Sequence, residues 1–186
     1  FAVVRKPMPH DSAVKHVTGA AVYTDDIREP AGLLHAAPGY APIAAGRITR
    51  IDLEAVRKAP GVVAVLTAGD IPGHNDISPK QIGDDPAITP DKVMFYGQVA
   101  FVVLAETRDQ ARHATRLARM ATAPGMPLID VDDAIVAESQ VHPDYGFTRG
   151  DVGEEISHAP RDITGELRIG GQEHFYLECP VALAVP

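Results

Sequence analysis

The chain has 186 residues, 45% of them hydrophobic and 23% charged, an ordinary balance for a folded protein that argues against disorder. That length holds one domain or two small ones. With 17 Lys and Arg against 25 Asp and Glu, the net charge of -8 argues against a nucleic-acid-binding face, which would need clustered excess basic charge.

In chain order, Phe1 to Val4 precede Arg5 and Lys6, the reverse of a signal peptide's charged-then-apolar order. The first residue is not Met, so the chain reads as processed or as a piece of a longer one. "HVTGAAVYTDDI" predicts a short β-prone run and an acidic turn at Asp25-Asp26. "GLLHAAPGY" is a short apolar segment bounded by Gly32 and Gly39. Ile48, Thr49 and Ile51 predict a strand, Asp52 caps a helix running through Lys58, and Pro60-Gly61 stops it. "VVAVLT" then predicts a buried strand. Ile71 to Asp91, rich in Pro, Gly and Asp, predicts a long surface loop.

Val99 to Ala105 is a continuous apolar run, hence a central strand. Thr107 to Gln110 fits a capping box in which each side chain bonds the other's backbone amide. Ala111, Ala114, Ala118 and Ala121, with Leu117, make one helical face, and Arg108, Arg112, Arg116 and Arg119 another. The basic stripe reads as a solvated face, with a phosphate site or pairing to an acidic part of a larger assembly as alternatives. Beyond Pro124 the pattern weakens. Asp132-Asp133 opens a short helix, and "HPDYGFTRGDVGEEISHAPRD" is an exposed connector. "ITGELRIGG" and "LECPVALAVP" are strand-like, and the chain stops inside an apolar run. A boundary near residue 150 separates 1–150 from 151–186.

Sites of familiar pattern are missing: no P-loop, GxGxxG or HExxH occurs. His142 with Asp144 falls short of the three or four ligands a metal needs. Asp84-Asp85 and Asp130 to Asp133 read as turn residues and caps. The single cysteine, Cys179, excludes an internal disulfide and fits a reducing compartment, taken as the cytoplasm; apolar packing is its expected use. No run approaches the ~20 apolar residues of a membrane span. What remains is "GGQEHFYLECP", Gly170 to Pro180. Read blandly, it is a glycine bend at a strand end. Read for chemistry, the glycines let a planar ligand lie against the backbone beside an uncharged amide.

"GGQEHFYLE" is similar to the signature that opens the molybdenum-cofactor region of xanthine dehydrogenases and aldehyde oxidases. "PHDSAVKHVTGAAVYTDDI", "RKAPGVVAVLTAGDIPG" and "GQVAFVVLAETRDQA" follow in that family's order and resemble the a/b hammerhead domain in front of it. The start resembles the bacterial molybdopterin-binding large subunit. The chain departs from the family at "RMATAPGMPLID", where a Val-x-Tyr strand is usual. The resemblance implies an α+β fold, with the hammerhead domain over 1–150 and the first strands of a truncated molybdopterin-binding domain over 151–186. It implies a xanthine dehydrogenase oxidising the purines hypoxanthine and xanthine to uric acid with water as oxygen source. An aldehyde oxidase or another heterocycle hydroxylase is the alternative, and a structural or docking module the reading from a different class. The implied cofactors are molybdopterin-bound molybdenum in the complete subunit, with iron–sulfur clusters and FAD on partner domains or subunits. Gln172 matches the family glutamine whose amide approaches a molybdenum oxygen without ligating the metal, and Gly171 the glycine beside it. The family's catalytic glutamate lies beyond Pro186, and neither Glu173 nor Glu178 occupies its motif. The chain by itself is therefore expected to hold no cofactor and to be inactive.

Overall fold

In the computed structural model, which describes residues 4–79, 83–176 and 179–185, the elements run in chain order. They are α1 (Ala13–Thr18), β1 (His35–Tyr40), β2 (Gly46–Asp52), α2 (Glu54–Arg57), β3 (Val62–Leu66), β4 (Lys92–Val93) and β5 (Val99–Ala105). Then follow α3 (Arg108–Thr115), β6 (Arg119–Pro124), α4 (Val131–Val136) and α5 (Val152–Ser157). Two compact units result: Pro30–Pro143, and the segments on either side of it taken together.

The Pro30–Pro143 unit holds two three-stranded antiparallel sheets. β5 lies at the centre of the first, between β1 and β3, as its unbroken apolar run requires. Phe101, Val103 and Ala105 on it are fully buried. β3, expected to be buried, is instead an edge strand with Val63 exposed; only one of its sides has a partner. β2 is the centre of the second sheet, between β4 and β6. β6 forms from "RMATAP", where the sequence departs from the family pattern, and pairs with β2 from Asp52 opposite Arg119 to Gly46 opposite Pro124. Gly46 has φ 131°, and a Cβ there would stand 2.3 Å from the Ala123 carbonyl oxygen, so a glycine is required. Ile48, Val56, Val93, Phe101, Val103 and Ala114 bring both sheets and both helices into one core.

Two local expectations are corrected around α3. The Thr107 oxygen accepts from the Gln110 backbone N–H at 3.2 Å, but its hydroxyl donates to Gln110 Oε1 at 3.0 Å. The Gln110 carbonyl thus takes a hydroxyl proton and does not return to the Thr107 backbone, leaving half a capping box. The helix also ends at Thr115, so Ala111 and Ala114 alone form its buried face. Ala121 leaves the helix to pair with Arg50 on β2, because ladder bonds outweigh the helical preference of an alanine-rich run. α2 starts where expected, with Asp52 Oδ1 accepting from the Glu54 N–H at 3.0 Å, and Lys58 follows its last turn.

The loop after β3 is more ordered than a surface loop. Asn75 brackets it, donating to the Ile88 carbonyl at 2.6 Å and accepting from the Ile88 N–H at 3.1 Å. The Asp76 carboxylate accepts from the Ser78 N–H, the Ser78 hydroxyl and the Gly83 N–H at 2.8 to 3.0 Å. Those bonds, the Ser78 amide foremost, hold its carboxyl below the ordinary value of 3.8. Ser78, Ile88 and Thr89 are buried.

In the other unit, α1 is closed by Gly19 in the left-handed region, φ 72°. The β-prone run after it makes no strand: Val22 is exposed, and Thr24–Asp26 forms a single 3-10 turn. α5 lies in the expected connector and is capped by Asp151, whose carboxylate accepts from the Glu154 N–H. Residues 163–176 and 179–185 form no strand, contrary to the expected first strands of a second domain. Ile163, Leu167 and Ile169 are exposed, and without a neighbour to accept its ladder bonds an alternating segment has no reason to pleat.

Candidate functional site

Gly170 and Gly171 lead the segment in, and a Cβ built on either meets nothing within 4 Å. Gln172 follows on an exposed backbone, and its amide has no hydrogen-bond partner among the described residues. The chain then turns. Phe175 has φ 56°, and its N–H donates to Glu173 Oε1 at 3.3 Å. The rings of His174 and Tyr176 stack with centroids 5.2 Å apart and planes 9° apart. Glu173 is thus engaged in the bend itself. Leu177 and Glu178 lie outside the described residues. Cys179 is exposed, so among the described residues it lacks the expected apolar packing.

The two sequence-predicted residues, Gly171 and Gln172, are adjacent and open. Their arrangement fits one face of a large planar group: a glycine floor without side chains and a neutral amide free to donate or accept. It does not enclose such a group. Nor is it a ligand set, since among the described residues no cluster of three or more His, Cys, Asp or Glu is placed to hold a metal ion. The other acidic candidates behave as caps and loop residues: Asp130 accepts from the Asp132 N–H at 2.9 Å and starts α4.

One arrangement escaped the sequence. The basic residues expected on a single helix are split, with Arg116 just past the end of α3 and Arg119 on β6. That split sets Arg116 and Arg119 beside Arg50 and Lys58 along two adjoining hollows. Only the cross-strand pairing of β2 and β6, which a helical period cannot show, brings them together.

Comparison with known proteins places the chain in a family. A family model described as "Aldehyde oxidase and xanthine dehydrogenase, a/b hammerhead domain" matches residues 18–122. Aldehyde oxidase 2 of Rattus norvegicus is 38% identical over 98% of this chain and 13% of its own length. Xanthine dehydrogenase/oxidase of Felis catus is 35% identical over 99% of this chain and 14% of its own. The chain therefore spans about one seventh of the relatives it matches. Among solved structures, the aldehyde oxidoreductase of Desulfovibrio gigas superposes with a TM-score of 0.64 at 28% identity, covering 82% of this chain and 19% of that one. The aldehyde oxidoreductase of Desulfovibrio desulfuricans gives 0.62 at 28% identity over 73% of this chain and 16% of that one. With more than half of its residues matched by that model, this chain belongs to the aldehyde oxidase and xanthine dehydrogenase a/b hammerhead domain family.

Proposed function

We propose that the chain is part of a molybdenum hydroxylase of the xanthine dehydrogenase type, in which a hammerhead domain, 1–150, leads into a cofactor-contacting region, 151–186. The observation that carries this reading is the open pair Gly171–Gln172, with its unengaged amide, standing downstream of a hammerhead fold. The complete enzyme oxidises hypoxanthine and xanthine to uric acid: each step takes an oxygen from water and releases two protons and two electrons. When bound, the molybdenum cofactor supplies the redox centre for that oxygen transfer. This chain's residues orient. Gln172 offers a neutral amide to an oxygen of the group, and Gly171 leaves the approach clear. Neither is a titratable group, and Glu173 Oε1 accepts from the Phe175 amide. Iron–sulfur clusters and FAD on a partner subunit or domain would supply the electron acceptor, with the cytoplasm as the proposed compartment.

A second reading, an aldehyde oxidase, is favoured by the 38% identity to the rat aldehyde oxidase and by the likeness to two solved aldehyde oxidoreductases. The test is kcat/KM of the complete protein with its partner subunit for hypoxanthine, xanthine and an aromatic aldehyde. Purine preference by tenfold or more supports the first reading, and aldehyde preference the second. Full molybdenum loading with turnover of none of them would leave the docking module as the better description.

A further inference from the structure

Segments 46–58 and 106–119 carry eight basic residues against four acidic ones, inside a chain whose net charge is -8. The fold concentrates part of that excess in one place. A groove of about 550 Å³ is lined by Asp52, Glu54, Lys58, Arg116 and Arg119 and by Leu117 with two alanines. A second hollow of about 290 Å³ adjoins it through Asp52 and Arg119 and adds Arg50. Lys58 is paired with Glu54 at 2.5 Å. Arg50, Arg116 and Arg119 are exposed and have no carboxylate partner among the described residues. Arg50, Lys58, Arg116 and Arg119 outnumber Asp52 and Glu54 across the two hollows, so the groove favours an anionic occupant. Asp52 and Glu54 within it disfavour a uniformly charged phosphate backbone, and the apolar Leu117 beside them suits a peptide.

The same chain carries a segment of the opposite kind. Residues 130–138 hold Asp130, Asp132, Asp133 and Glu138 and no basic residue. Val131 and Ile135, one helical turn apart on α4, are 67% and 68% exposed. No α4 residue lines the groove. We propose that this groove docks the acidic segment 130–138 of a second copy of the chain, its carboxylates meeting Arg50, Arg116 and Arg119 and its Val131–Ile135 edge resting on Leu117. Charge complementarity between groove and segment offsets the mutual repulsion of two copies of charge -8.

Sedimentation velocity of the 186-residue chain tests the contact. In 50 mM salt the weight-average sedimentation coefficient rises with concentration toward the dimer value. In 500 mM salt, where screening acts within ~5 Å, it stays at the monomer value. Arg116→Glu/Arg119→Glu and Asp133→Lys/Glu138→Lys each remain monomeric in 50 mM salt, with unchanged circular dichroism. Mixed in equal amounts, the two variants associate again, because the reversed charges match. A monomer at every concentration and salt, association untouched by the variants, or variants that fail to recombine would each overturn the proposal.

Discussion

The ring of Phe101 lies over Gly39. The two residues oppose each other across β1 and β5, and a Cβ on Gly39 would stand 2.1 Å from ring atoms Cε1 and Cζ. The aromatic ring fills the hollow left by the missing side chain and so fixes the register of the two strands. Phe101 is fully buried, so the ring has nowhere to move. Gly39→Val is expected to lower stability by about 1–3 kcal/mol through overpacking. Urea unfolding followed by circular dichroism reads it, and an unchanged midpoint would mean that the sheet adjusts freely.

Asp76 holds the loop after β3, and its lowered carboxyl gives the effect a pH window. A carboxyl whose folded value lies below 3.8 contributes fully above that value. The contribution is lost as pH falls through the folded value. Amide hydrogen exchange at Ser78 and Gly83, corrected for its intrinsic pH dependence, should show constant protection from pH 7 to 5 and falling protection below about 3.8. Asp76→Ala should remove the protection at every pH. Equal protection in the variant would show that Asn75 alone closes the loop.

How far the sequence disclosed the fold follows from range. Val99 to Ala105 was legible as a central strand because burial on both sides leaves an unbroken apolar run. The start of α3 was legible from Thr107, since a cap is a local bond. The end of α3 was not, because Ala118 and Ala121 continue the helical pattern while Arg119 to Pro124 pairs with β2, some 70 residues away in sequence. β4, two residues long, has no period at all. At the candidate site, Gly171 and Gln172 were found through a resemblance, and their spacing alone would have read as a bend. The arginine groove was invisible because its members come from different elements.

The segment after α5 offers a check on the strands that did not form. Ile163, Leu167, Ile169 and Phe175 are exposed, and residues 163–176 have no ladder. In a dilute sample of the 186-residue chain, their amides should exchange at least a hundredfold faster than those of Val99 to Ala105, as unpaired backbone does against core strand. Equal protection would mean that the segment finds a partner within its own chain.

The central claim is that Gln172 presents an amide to the cofactor over a glycine floor. The direct measurement is molybdenum content together with steady-state xanthine and aldehyde oxidation in the complete enzyme, for Gln172→Ala and Gly171→Val. Gln172→Ala should keep most of its molybdenum and turn over about a hundredfold to a thousandfold more slowly, the usual cost of one preorganised donor. Gly171→Val should lose the molybdenum, because a branched side chain would occupy the open approach. Wild-type turnover of Gln172→Ala at full molybdenum loading would contradict the account.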